Sequence, residues 1–353
     1  MNIFIPEEKE VILDKHALFV ILRPFFVDGK FKNNNNYYNW DLKDVNIVTD
    51  LKISNLLCIP MPINYYHENK MFYLLNKYNQ NCQKFNINGY GVISGDFCRY
   101  YPEFDKIIYF RMGGFKSTLS NNNQGFPATL SDQVEKIFGR KKIIIHKKSV
   151  IPKIGFCGHA TASKTIYIKQ TIKFMLENIK RFFSYPLRKD YEIFFQSGFI
   201  RYQILKKIEK DSRFQTDFIY RNQYRAGAKN LMERKTTTLD HYNNIIKSDY
   251  TICIRGTGNF SIRFYETLMM GRIPILIDTD CILPFHKIIN WDKHIIRIKW
   301  SEIDNFADIV LDFHKNISQL DFIKMQKNNR KLWLEKLNPS WTLKHLFDLR
   351  NEN

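Results

Sequence analysis

Residues 1–150 carry short apolar runs separated by turn residues, at Ala17 to Leu22, Val45 to Val48, Leu56 to Pro60, Tyr90 to Ser94, Lys106 to Phe110 and Lys142 to His146. Each has the length of a buried strand. Between them, Tyr66 to Tyr78 carries a partial helical pattern, while the tracts at Asn33 to Asn36 and Asn121 to Asn123 have no periodicity and read as loops. From Lys153 the rhythm becomes regular. Strands are expected at Lys153 to Cys157, Asp217 to Tyr220, Tyr250 to Ile254, Ile273 to Ile277 and His294 to Ile298. Helices are expected at Thr165 to Phe183, Phe199 to Lys210, Asp240 to Lys247, Ser261 to Met270, Ile303 to Lys315 and Gln319 to Leu334. Such alternation predicts a doubly wound parallel sheet with helices on both faces. A break at 147–152 divides the chain into domains of residues 1–150 and 151–340. A last helix from Trp341, in residues 341–353, is placed to pack back on the first domain.

Composition narrows the function. The chain has 353 residues, 44% hydrophobic and 25% charged, values of a globular protein with a sizeable core. No run of 18 apolar residues appears, and acidic residues interrupt the first 21 positions, so neither a membrane span nor a signal peptide is expected and the default location is cytoplasmic. Lys and Arg number 54 against 35 Asp and Glu, a net charge of +19. That field suits an acidic partner: a phosphorylated small molecule, an anionic membrane met peripherally, a polyanion or nucleic acid. The basic and aromatic residues are spread along the chain and match no nucleic-acid motif, so a nucleic-acid partner is not expected. Six cysteines show no CxxC pair and no metal-ligand spacing, and read as reduced.

The chemistry concentrates between residues 250 and 291. An apolar strand, Tyr250 to Ile254, runs into Gly256 and Gly258, and Ser261 can cap the helix that follows. A strand, a glycine loop and a helix start form an anion site, because free backbone N–H groups and the helix dipole converge there. Arg263 and Glu266, three apart, fall on one side of that helix. A guanidinium there can grip a diphosphate and a carboxylate can accept from vicinal hydroxyls, unless the two simply form an exposed ion pair. In either case, their removal is expected to spare stability. A second glycine turn, Gly155 to Thr161, ends the first strand of the same domain and offers Gly158 and His159. Lys153 and Arg221 lie near other strand ends. Asp278-Thr279-Asp280 has the form of a metal-binding DxD, and its place after a strand equally suits an ordinary loop. A dehydrogenase would need GxGxxG in the first βαβ unit, and RGTGNF comes late and lacks the third glycine.

In order and spacing, the stretch from Arg255 through Ser261, Arg263, Glu266, Gly271, Ile273, Pro274, Leu283, Pro284, Phe285 and Ile289 to Trp291 resembles the C-terminal signature of exostosin-like glycosyltransferases. The resemblance is close over about 40 residues and extends weakly back to Lys153. It implies a GT-B fold, α/β, with two Rossmann-like domains facing across a cleft, the C-terminal one holding a UDP- or GDP-sugar and the N-terminal one the acceptor. It further implies an inverting transfer to a glycan, glycolipid or other hydroxyl acceptor, without a metal or other cofactor, as in surface-polysaccharide synthesis. The expected donor site comprises Gly158, His159, Arg221, Arg255, Gly256, Gly258, Asn259, Ser261, Arg263 and Glu266, and by family position Arg263 would meet the diphosphate and Glu266 the donor's ribose or sugar. Asp96, after a strand-like run and a glycine, is the candidate base, preferred to His67, Glu68 and Asp132. Arg111 and Lys116 flank two glycines that suit an acceptor loop.

Overall fold

The structure is a computed structural model that describes all residues except 35, 38–39, 98, 141, 185–190 and 347–353. Two all-parallel sheets organise it. The first comprises β1 (Asn2–Phe4), β2 (Asn46–Val48), β3 (Leu56–Cys58), β4 (Asn88–Ile93), β5 (Ile107–Arg111) and β6 (Asn123–Gly125). Their spatial order is 2-1-3-4-5-6. The second comprises β7 (Lys153–His159), β8 (Gln215–Arg221), β9 (Tyr250–Cys253), β10 (Ile273–Asp278) and β11 (Ile296–Lys299), in the order 8-7-9-10-11. Both orders reverse beside the first strand, which makes two doubly wound, Rossmann-like domains, the GT-B arrangement. The central strands β9 and β10 are buried on both faces because helices cover them, as a parallel sheet requires.

The helices are α1 (Ile63–Glu68), α2 (Phe72–Phe85), α3 (Gln133–Phe138), α4 (Lys164–Ser184), α5 (Ser197–Glu209), α6 (Leu231–Lys247), α7 (Ile262–Met269), α8 (Phe306–Asn316), α9 (Gln319–Glu335) and α10 (Pro339–Lys344). Two expected strands are absent. Ala17 to Leu22 leads instead into a 3-10 helix, Val20–Phe25, with Ile21, Leu22 and Phe25 buried; an apolar run buried on all sides has no periodicity to separate strand from helix. Lys142 to His146 is extended but unpaired with any strand, its backbone held by side chains: Arg272 donates to the Ile144 carbonyl and the His146 N–H donates to Gln326. The expected helix at Ile303 to Lys315 begins as 3-10 turn, Trp300–Asn305, before α8.

The domains share more than a linker. One hydrophobic cluster runs from the first sheet through Phe264 and Leu268 of α7, Leu283, Phe285, Trp291 and Trp333 to Leu343. A second lies on the far face of the second sheet. Backbone bridges join Phe115 to Cys281 and Gly125 to Pro284. The C-terminal segment packs on the first domain, where Tyr90 donates to the Leu346 carbonyl (2.7 Å) and Lys344 pairs with Asp41. Among the described residues no helix is long and apolar enough to cross a membrane, and the described cysteines, 58, 82, 157, 253 and 281, are free and buried.

Candidate functional site

The strand order of the second sheet reverses between β7 and β9. A doubly wound sheet opens a crevice outside the carboxyl ends of the strands at that point. There β7 ends in Cys157, Gly158 and His159, and β9 runs on into Ile254, Arg255 and Gly256. Arginines converge on this edge. Arg263, from the first turn of α7, is buried with its guanidinium 4.1 Å from the Phe156 ring centre, and it donates to the Cys157 carbonyl (2.8 Å). A Cβ on Gly158 would sit 2.3 Å from that guanidinium, so only glycine lets it through. Arg255 lies between Phe115 of the first domain (5.3 Å) and Phe195 of the second (4.8 Å), and donates to the Thr257 carbonyl. Arg201, from α5, donates to the carbonyls of His159, Ile254 and Arg255. Each of the three keeps a buried Nε–H with no acceptor. Burial, then the positive charges of Arg263 and Arg255, pull the Arg201 guanidinium down to about 9. Cations crowded in this way, with donors to spare, are suited to an anion.

Arg201 escaped the sequence reading. Its signal was present: Arg201, Leu205 and Ile208 fall at i, i+4 and i+7 on the face of α5 that packs on the sheet. Also missed was the partner of Glu266. The Glu266 carboxylate receives His241 Nε2 (2.8 Å) and Tyr242 Oη (3.1 Å) from α6, while His241 Nδ1 meets the Cys157 carbonyl (3.2 Å). Burial pulls the His241 imidazole down, but the Glu266 carboxylate outweighs it and holds the pKa at about 9. Burial also pushes Glu266 up, and His241 with Arg263 more than reverse this, so it stays below its ordinary value. Arg263 and Glu266, read as a possible exposed ion pair, do not pair with each other: Arg263 is buried, and the half-buried Glu266 is ionised toward histidine.

Other candidates take structural places. Ser261 stands at the N-cap of α7 without a side-chain capping bond. The loop before it is partly closed on itself, since Gly256 N–H donates to Phe260 O and Phe260 N–H to Gly258 O, so fewer free backbone N–H groups are left there than the sequence suggested. Asn259 is fully buried and donates to the carbonyls of Gly114, Thr279 and Asp280, tying the glycine loop to both flanking loops. Arg221 donates to the Thr237 carbonyl (2.7 Å), and its charge still reaches Arg263. His159 is half-buried; burial and then Arg201 lower its pKa. Lys153 is a correction: it starts β7, roughly 20 Å of strand away from His159 at the other end.

The first domain meets this edge directly. Asp96 is exposed after β4, and its carbonyl lies 2.2 Å from where a Cβ on Gly258 would be, so a glycine is needed for the approach. Asp132, by contrast, caps α3 and pairs with Arg330. Arg111 departs from its acceptor-loop reading: it is 2% exposed and turned inward, donating to the carbonyls of Gly113 (2.6 Å) and Arg99 (2.7 Å). Lys116 stays exposed, and its N–H donates to the Asp280 carbonyl. Within the DxD, Asp278 pairs with Arg297 (2.7 Å) and receives Cys281 N–H, whereas Asp280 receives Ser117 N–H and Oγ from the other domain. The two carboxylates thus face different partners, and among the described residues no three His, Cys, Asp or Glu side chains gather as metal ligands.

Residues 185–312, which hold Arg201, His241 and the whole glycine-loop and α7 unit, match the Exostosin GT47 domain. Over that segment the chain is similar to the exostosin-like glycosyltransferases. A probable glycosyltransferase of Arabidopsis thaliana is 32% identical over 74 residues, which is 21% of this chain and 16% of that protein's length. Among solved structures, the lipopolysaccharide outer core galactosyltransferase WaaB is similar over 99% of both chains (TM-score 0.41, 11% identity). A glycosyltransferase of Rickettsia africae is similar over 88% of this chain and 86% of its own (TM-score 0.35, 11% identity). Staphylococcus aureus TarM, in a complex with fondaparinux, alpha-GlcNAc-glycerol and UDP, matches over 84% of this chain and 55% of its own (TM-score 0.38, 12% identity). In this chain the GT47 match covers the second sheet from α5 to α8, the part that carries the arginine cluster.

Proposed function

We propose that the protein is an inverting glycosyltransferase that takes a sugar from a UDP- or GDP-sugar held on the second domain and passes it to a hydroxyl of a glycan or glycolipid presented by the first. The observation that carries this reading is the cluster of Arg201, Arg255 and Arg263 at the switch point, one half-buried and two buried cations that share a single carboxylate contact, Arg255 with Glu192 (3.4 Å), and each keep an unspent Nε–H beside a helix start. A sugar nucleotide's diphosphate has the charge and the acceptors to satisfy them, and its negative charge grows as the sugar leaves.

In the reaction, the acceptor oxygen attacks the anomeric carbon from the side opposite the diphosphate, the bond from that carbon to the phosphate oxygen breaks, and a base takes the hydroxyl proton. The base must face the donor from across the cleft. Asp96 is exposed and its loop touches the glycine loop, which supports it in that role. The leaving diphosphate stays with Arg201, Arg255 and Arg263. The pairing of Asp278 with Arg297 and of Asp280 with Ser117 supports a transfer in which the DxD binds no metal.

The test is to titrate the protein with UDP, GDP and their sugars while following its melting temperature, and to repeat the titration and the transfer assay with Asp96→Asn. One nucleotide sugar should raise the melting temperature. Asp96→Asn should keep that shift and lose transfer, and chelator should leave wild-type transfer intact. No shift with any nucleotide overturns the donor site, wild-type turnover in Asp96→Asn overturns the base, and transfer lost to chelator and restored by Mn or Mg overturns the metal-free reading.

A further inference from the structure

Helix α4 carries apolar residues on both its inward and its outward face. Inward, Tyr167 and Phe174 pack against Phe194 and Phe199 beside a set of buried ion pairs. Arg181 pairs with Glu177 (3.1 Å) and with Glu192 (3.1 Å), and Arg99 of the first domain also reaches Glu177 (2.9 Å). Its outward face is apolar: Ile168, Ile172, Met175, Leu176 and Ile179 are 46–56% exposed and Phe183 is 80% exposed. Their spacing of three and four residues makes one continuous stripe along the helix. The exposed Lys169, Lys173 and Lys180 line one edge of it, and the helix's single acid, Glu177, is buried on the other side. Rolling the helix to hide the stripe would break the buried ion pairs and strand their charges, so the apolar face is fixed outward.

We infer that α4 is a membrane-seating helix that lies in the surface of a bilayer containing anionic lipid. Charge selects this occupant. An apolar stripe about 23 Å long with a lysine edge matches acyl chains beneath a layer of anionic headgroups, into which the lysine stems can extend. A second copy of the chain would bring like-charged edges together on a protein of net charge +19. The inference does not depend on the transfer reaction, though it gives that reaction a location. The Arg181 guanidinium lies 5.8 Å from the ring centre of Phe97, the residue after Asp96, so the Asp96 loop would stand about one helix diameter, ~10 Å, from the lipid.

The experiment is sedimentation of the full chain with phosphatidylcholine vesicles, with and without phosphatidylglycerol, across a salt series. Wild type should partition onto the anionic vesicles, and less as salt rises. The double variant Ile172→Glu, Ile179→Glu should partition about tenfold or more weakly at unchanged melting temperature, because both side chains are already exposed. Lys169→Gln with Lys180→Gln should weaken binding and flatten its salt dependence. Failure of wild type to bind, equal binding to vesicles without phosphatidylglycerol, or undiminished binding by the double glutamate variant would overturn the inference. So would light scattering that shows a lipid-free dimer which the glutamates dissociate.

Discussion

His241 and Glu266 make the site sensitive to pH. Folded His241 keeps its proton up to about 9 against an ordinary 6.5, so its contribution to stability is complete below about pH 6.5 and is lost as pH rises toward 9. Glu266, held low, contributes above its ordinary range and loses this only in acid. Denaturant titrations of wild type should therefore show unfolding free energy falling between pH 6.5 and 9, by at most about 3 kcal/mol, and His241→Gln should be flatter across that window. An equal slope in both would remove the imidazolium from the account. The burial also revises what removal of the carboxylate does. Glu266→Ala removes the counter-ion of His241, so the imidazole turns neutral and Tyr242 loses its acceptor, and should lower the melting temperature together with turnover, by no more than about 3 kcal/mol of stability. A melting temperature unchanged from wild type would mean that the pair is exposed in solution.

At the scale of elements, the decisive unit is the loop between β9 and α7. Gly258 lets the Asp96 loop approach it, and a Cβ there would meet the Asp96 carbonyl at 2.2 Å and the Phe260 ring at 2.5 Å. Gly258→Ala should push the facing loops apart while leaving the arginine cluster in place. Nucleotide affinity, measured by calorimetry, should then stay within about threefold of wild type while kcat falls about tenfold or more, since a displacement near 1 Å is enough for such a loss. The reverse pattern would place the loop's role in donor binding.

The loop and α7 were legible because a strand, two glycines and a helix start are local features that carry their meaning in order. The second sheet was legible for the same reason: its β-branched strands and long helices alternate with clear periods. What escaped depends on contacts distant in sequence. Nothing local to Glu266 announces His241, 25 positions earlier, and Arg111 suited an acceptor loop because its carbonyl partners appear only once β5 and its neighbouring loops are packed. The strand expected at Ala17 to Leu22 failed for another reason: total burial erased the period that would have identified it.

Across the whole molecule, contacts between the domains are of the same kind as contacts within them. Arg272, 1% exposed, holds the carbonyls of Ile246 and Ile144 together with Gln326, and so joins α6, α9 and the strap between the domains at one buried guanidinium. With the first hydrophobic cluster spanning both sheets, calorimetry should record one unfolding transition rather than two, and Arg272→Ala should lower its temperature without dividing it. Two separated transitions would show that the shared cluster does not couple the domains.

The same cluster bears on how the chain can be handled. A fragment starting at residue 151 would keep the three arginines and every strand of its sheet, yet would lose the first domain's share of the cluster that holds Phe264, Leu283, Phe285, Trp291 and Trp333 and so expose part of that apolar surface. Contiguous aromatic surface of that kind drives self-association. Cutting the donor half free to simplify binding work would therefore yield aggregates, and the practical unit for expression, crystallisation and evolutionary recombination is the pair of domains together.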